Sequence, residues 1–446
     1  VNQPERDSEP VGQPGAAAAP PPRTPVDETP RRRRFPATLL PAPEGLRRPE
    51  IFDPALKHFP GAFRAGEPVF DDPAARDAWH LARRTALDLV LAGVAGGRWA
   101  DHLVLRGSAL LAGWFGEAAR DPGDLDFVVT PAEWAMDGPE TSGLLTDLAR
   151  DAEAAARAHA GAHAGVAIDA AGAAVEDIWT YDRVPGRRMV LPWTAPGTPG
   201  GTVQLDLVFN EPLPEPPEPV RSRPLGEGPG ALVLGVSPGL SLAWKLLWVV
   251  SDMHVQGKDI YDALLLAEDT PPDFDLVRAA FLAVPSTEGE RLTPPGDWWI
   301  SWLGDMGVEW EHFEREYPEL AARTADYEPR LRRVVAPLLA EADRPGDTPH
   351  RRWARWLAPL IDEARARDPR ERAAALGELA VEGPSGLTAA VVILRELAGA
   401  EAPSVRETME TVLAADERWS WLRSRPHLLR FTLSDLGEEQ DDRPDG

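Results

Sequence analysis

The 446-residue chain contains no cysteine, which removes disulfides, thiolate metal sites and cysteine nucleophiles together. It is also short of positive charge. Its 47 Lys and Arg stand against 72 Asp and Glu, a formal net charge of −25. Such a chain repels nucleic acid on average, so a nucleic-acid partner requires a local basic patch instead of a general positive field. No apolar run approaches the ~18–20 residues that span a bilayer, and the N-terminus has no basic segment followed by an apolar one. Neither membrane insertion nor export is expected, and the cytoplasm is the default location. Several site signatures are missing as well: G-x-x-x-x-G-K-[ST], G-x-G-x-x-G after a strand, H-E-x-x-H and G-x-S-x-G. His159 and His163 share a helical face at i, i+4 but have no third ligand near them in sequence, so they read as surface residues.

What is present centres on Leu103 to Thr130, LVLRGSALLAGWFGEAARDPGDLDFVVT, which reads as strand, glycine turn, helix, loop, strand. On the second strand a period of two puts Asp124 and Asp126 on one face and Leu125 and Phe127 on the other. Two acids side by side repel unless a cation lies between them. Gly107-Ser108 opens a helix directly after the first strand, leaving free backbone N–H groups and a hydroxyl for an anion such as a phosphate. Separately, the turn reads equally as an ordinary N-cap and the acids as an exposed strand edge; together they point to a metal-nucleotide site.

Three further features lie downstream. In TVQLDLVFN, Val203, Leu205, Leu207 and Phe209 alternate with Gln204 and Asp206, which places a third carboxylate on a strand. The helix PGLSLAWKLLWVVSDMH is apolar nearly all round, with Lys245 its one lysine; a buried ammonium needs an anionic partner or an escape to solvent. In GKDIYDALLLAE, Lys258 and Asp259 open another helix, and Asp259 and Asp262 share one face.

The string GSALLAGWFGEAARDPGDLDF resembles the first motif of the nucleotidyltransferase superfamily with the DNA polymerase beta type fold. Within it the chain is most similar to the AbiEii branch, the toxin component of type IV toxin–antitoxin and abortive-infection systems. The resemblance runs from Leu103 to Glu268. It implies that Asp124, Asp126 and Asp206 hold two Mg²⁺ ions, with Mn²⁺ as the alternative. It implies that Gly107 and Ser108 grip the triphosphate, that Lys245 and Lys258 bind the nucleotide, and that Lys245 and Asp259 join the three acids as catalytic residues. It further implies an NTP substrate, an RNA acceptor with the tRNA 3′ end first, a cognate antitoxin as partner, and no membrane. Arg120 stands where the family usually has arginine, but Pro122 stands where a small polar residue is common. A small molecule or a protein hydroxyl is the alternative acceptor, and a non-catalytic nucleotide-binding or partner-docking module is the rival from another class.

The expected fold class is α+β: a polymerase beta-like core of mixed sheet and helices, then an all-helical C-terminal region. Residues 1–50, rich in Pro, Ala and Arg, read as a disordered tail in which Arg31 to Arg34 are solvated linker charges. The core is expected over 51–270 and a Trp-rich helical region over 271–345. A helical C-terminal domain follows over 346–432 and an acidic tail over 433–446. Trp298, Trp299, Trp302 and Trp310 read as packing anchors instead of base-stacking platforms.

Overall fold

The computed structural model of the protein describes residues 34–42, 46–159, 165–180, 184–251, 255–284, 289–296, 298–299 and 308–438. Near the start, β1 (Glu50–Phe52) and β2 (Phe63–Ala65) pair as an antiparallel ribbon. Helix α1 (Pro73–Gly96) begins where the Asp72 carboxylate accepts the Ala74 N–H at 3.0 Å, with Pro73, which has no N–H to satisfy, at the first position. Trp79, Ala82, Ala86 and Val90 form its buried stripe. The helix closes at Gly97. Gly93 lies inside the helix. A Cβ there would stand 2.7 Å from the Ala152 backbone nitrogen, so glycine is what lets α3 (Pro139–His159) approach.

The sheet is built from β3 (Leu103–Arg106), β4 (Asp124–Val129), β5 (Ala167–Ile168), β6 (Ala174–Thr180), β7 (Val184–Ala195), β8 (Thr198–Val208), β9 (Glu218–Arg221) and β10 (Leu232–Gly235). Their order is β5-β7-β8-β4-β3-β10-β9, with β6 also on β7. The pairs β4–β8 and β3–β10 are parallel and the rest antiparallel. One face carries Leu125, Phe127, Met189, Trp193, Val203, Leu205 and Leu207, all buried. Helix α1 covers it, with Trp79 and Trp193 ring centroids 5.6 Å apart. The opposite face holds the acids of β4 and β8. Two helices, α2 (Ser108–Phe115) and α4 (Pro238–Ser251), follow β3 and β10 directly, and α5 (Gly257–Asp269) packs on α4.

The reading of residues 1–50 as one disordered tail fails for 34–42 and 46–50. Thr38, Leu39 and Leu46 are buried. The Ala37 N–H donates to Glu176 Oε2 on β6 at 2.7 Å, and the Gly61 N–H donates to the Arg34 carbonyl at 2.8 Å. Leu56 and Ala62 then pack on Ile178 of β6, so residues 34–42 and 46–67 form a strap fastened to one side of the sheet. Few apolar residues among many prolines look like a linker because every partner they have is remote in sequence. Most of the arginine run, Arg31 to Arg33, lies outside the described residues, as does His163.

Beyond α6 (Phe274–Ala283) the described residues are helical, including Thr324–Ala342, Pro349–Trp356, Gly383–Ala398 and Val405–Ala415. Trp299 stacks on Phe281 at 4.7 Å and meets Trp356 nearly edge-on at 6.3 Å, as expected of a packing anchor; Trp302 lies outside the described residues. The helical stretch Pro369–Glu401 is long and apolar enough to cross a membrane by length and composition, which reading for unbroken apolar runs overlooks. Of its most apolar window, 78% is buried inside the protein.

Candidate active site

Strand register assembles the site. Across neighbouring strands Arg106 of β3 stands opposite Asp126 of β4, Asp126 opposite Asp206 of β8, and Asp206 opposite Arg188 of β7. Directly paired residues share a face, so these four side chains form one row, plus–minus–minus–plus, with Asp124 one step along β4. An oxygen from each of Asp124, Asp126 and Asp206 lies within 4.8 Å of the others. Burial and then the charges of Asp124 and Asp206 push the Asp126 carboxyl up to about 7, although Arg106 and Lys245 pull the other way. Asp206 is also raised by burial, with Arg188 opposing and Asp124 adding to it.

The flanking arginines are what make this row tolerable. Arg188 grips both oxygens of Asp206, Nε to Oδ1 at 2.8 Å and Nη2 to Oδ2 at 2.7 Å, while its Nη1 donates to Asp53 Oδ2 of the strap at 2.6 Å. Arg106, also buried, donates to Glu211 Oε2 at 2.8 Å and lies 5.1 Å from the Trp244 ring. Neither arginine was identified from sequence. Arg106 adjoins the glycine turn and Arg188 lies in a strand-like run, but their meaning depends on which strands pair.

At the end of β3, Gly107 adopts φ +78, and a Cβ there would come within 2.3 Å of Asp126 Oδ2. Only glycine fits this conformation and this approach together. Ser108 begins α2, is 2% exposed, and its Oγ finds no hydrogen-bond partner among the described residues. A buried orphan hydroxyl beside free helix-terminal N–H groups matches an anion that completes the set.

Lys245 is 4% exposed and its anionic partners are internal: Asp262 Oδ2 at 3.0 Å and Asp259 Oδ1 at 3.2 Å. Burial alone would lower its pKa; Asp262 and Asp259 outweigh that and hold it above its ordinary value. Its Nζ lies 4.4 Å from the Trp248 ring centroid. Asp262, fully buried, takes Lys245 and a two-pronged grip from Arg120, with bonds of 2.9 to 3.2 Å. Asp262 therefore holds the other groups in place, while the Asp259 carboxylate, on the same helix, meets Lys245 and lines the cleft. Lys258 is half-buried on the same rim.

These groups line one cleft of about 310 Å³. Of the eight residues expected at the site from sequence, seven border it; Gly107 does not, but its backbone lies against the Asp126 carboxylate. Three carboxylates that crowd together, one of them driven to hold its proton near neutrality, form an oxygen donor set that fits a divalent cation.

The family model described as nucleotidyl transferase AbiEii toxin, type IV TA system, matches residues 89–375. No curated protein matches the chain. Among solved structures the chain is similar to MenT4, a nucleotidyltransferase toxin of Mycobacterium tuberculosis H37Rv, at 17% identity over 76% of this chain and 95% of that one, with a TM-score of 0.41. The family match takes in well over half of the chain and every strand of the charged row, and on it the chain belongs to the AbiEii family of nucleotidyltransferases, toxins of type IV toxin–antitoxin systems.

Proposed function

We infer that the protein is a divalent-metal-dependent nucleotidyltransferase that moves a nucleoside monophosphate from an NTP to the terminal hydroxyl of an RNA, within a toxin–antitoxin pair. The observation that carries this reading is the convergence of Asp124, Asp126 and Asp206 beside the Gly107-Ser108 turn. The three carboxylates would hold two Mg²⁺ ions, with Mn²⁺ as the alternative. When bound, the metal lowers the pKa of the attacking hydroxyl and offsets charge on the departing pyrophosphate. The chain's own part is positional. The N–H groups at the start of α2 and the Ser108 hydroxyl take phosphate oxygens, and the crowding that raises Asp126 and Asp206 is what a bound cation would relieve. Lys245, pinned by Asp259 and Asp262, places a fixed positive charge at the cleft wall instead of a mobile one, so no ordering entropy is lost when the nucleotide arrives.

The test is incubation of the protein with Mg²⁺, each α-labelled NTP and total RNA. Label is expected on RNA, and Asp126→Asn should abolish it. Label on the protein itself or on a small molecule would move the acceptor to another class, and NTP binding without any transfer would support a docking module.

A further inference from the structure

Five of the cleft's cations are matched by carboxylates: Arg83 by Glu67, Arg106 by Glu211, Arg120 by Asp262, Arg188 by Asp206 and Asp53, and Lys245 by Asp259 and Asp262. On the strap side the matching fails. Among the described residues Arg48 donates to neutral oxygens, the Gly66 carbonyl at 3.1 Å and Thr202 Oγ1 at 3.3 Å. Burial, with Arg83 and Arg64 nearby, pulls its pKa down although Glu67 opposes. Arg64 reaches Asp53 only at 3.9 Å, and that carboxylate is already committed to Arg188 at 2.6 Å. Lys258 has no ion pair among the described residues, and with Arg64 it borders a small hollow next to the cleft. A partly desolvated cluster of positive charge in a chain of net charge −25 is stable when an anion joins it.

We propose that Arg48, Arg64 and Lys258 form a second anion subsite, carried mainly by the strap, which takes a phosphodiester of the acceptor strand. The side of the sheet decides the assignment. The Gly107-Ser108 cradle follows β3, whereas the strap is tied to β6, β7 and β8, beyond Asp206 in the strand order. An NTP held at the cradle therefore has the strap on the far side of the three acids, where the incoming hydroxyl and its chain must lie. Arg48 and Arg64 lie before the family match at 89–375 and Lys258 within it, so the strap adds its two arginines to a lysine of the matched region.

The inference rests on the RNA reading, and one experiment separates the two. Wild type, Arg48→Gln and Arg64→Gln are compared for NTP affinity by thermal shift, for binding of a fluorescent single-stranded RNA octamer at several salt concentrations, and for KM and kcat with total RNA. Each variant should bind RNA about tenfold more weakly. RNA KM should rise, with kcat at saturation and NTP affinity held within twofold. Each variant should also lower the slope of log affinity against log salt by about 0.7. Loss of NTP affinity instead of RNA affinity would place the subsite on the nucleotide side and overturn the proposal. Unchanged RNA binding in both variants would overturn it too while leaving the RNA reading intact. Wild type that labels a protein and no RNA would sink the RNA reading first, and the subsite assignment with it.

Discussion

Asp126 is an acid kept where acids are least stable. Its carboxyl, pushed up to about 7 in the fold against an ordinary 3.8, binds a proton more tightly in the native state than in the unfolded chain. The sign follows by linkage: its contribution to stability is complete below about pH 4 and is lost as pH rises through about 7. The full shift corresponds to on the order of 4 kcal/mol. That is an upper bound, because Asp126 keeps partial solvent contact and shares its titration with Asp206. Thermal melts from pH 4 to 8 should show wild type losing stability relative to Asp126→Asn, with the difference flat above about pH 8. Divalent cation with NTP should restore wild type and leave the variant unmoved; a hundredfold excess over the dissociation constant is worth about 2.7 kcal/mol. Parallel pH curves would rule out the raised pKa. At Lys245 the effect is reversed. Because its partners are internal, Lys245→Ala leaves Asp262 and Asp259 short of a counter-charge, and a loss of about 3 kcal/mol is expected in denaturant unfolding. An unchanged or raised midpoint would mean that the buried ammonium is held at a net cost which its removal relieves.

Among the elements, the strap is the least secure and the most informative. Its hold on the sheet includes one small apolar cluster, Leu56 and Ala62 on Ile178, and the Asp53–Arg188, Ala37–Glu176 and Arg48–Thr202 bonds. Leu56→Ala should cost about 3 kcal/mol of the strap's attachment, read as faster hydrogen exchange at the Asp53, Gly61 and Gly66 amides while α1 amides keep their protection. Uniform loss across the protein would show that the strap is part of the global core. The strap also marks where the sequence stops being readable. Period-two alternation places Asp124, Asp126 and Asp206 without knowledge of pairing, and Asp72-Pro73 announces α1, because those signals are local. Arg188, Arg106 and Asp53 carry no local signal: the arginines acquire their roles from strand register, and Asp53 from a contact with a residue 135 positions away. The same limit explains the partners of Lys245. An apolar helix with one lysine shows that an anion is needed, but only the packing of α5 against α4 shows that Asp262 supplies it.

For the molecule as a whole, a net charge of −25 surrounds a cleft rimmed with cations. RNA therefore meets repulsion at long range and attraction at contact, and salt acts on the two in opposite directions. Between 0.01 and 0.1 M salt the screening length falls from ~30 to ~10 Å. The association rate should hold steady or rise over that range, while dissociation quickens. Stopped-flow mixing with a single-stranded RNA measures both. A steep fall in association rate would mean that RNA approaches through a positive field located elsewhere on the chain.

The row Arg106, Asp126, Asp206, Arg188 has one more consequence, which concerns assembly. A slip of β8 by one residue against β4 would turn Asp206 into the apolar layer beneath α1 and bring Leu205 or Leu207 up beside Asp126. Arg188 would lose its carboxylate, and Asp126 would keep Arg106 alone. Each misaligned pairing thus strands a charge in an interior that excludes water, a penalty of several kcal/mol that the apolar residues of β4 and β8, much alike in size, could not impose by themselves. The side chains that make the site reactive also proofread the alignment of the four strands that carry them, and an attempt to remove the charges for stability would loosen the fold's knowledge of its own register.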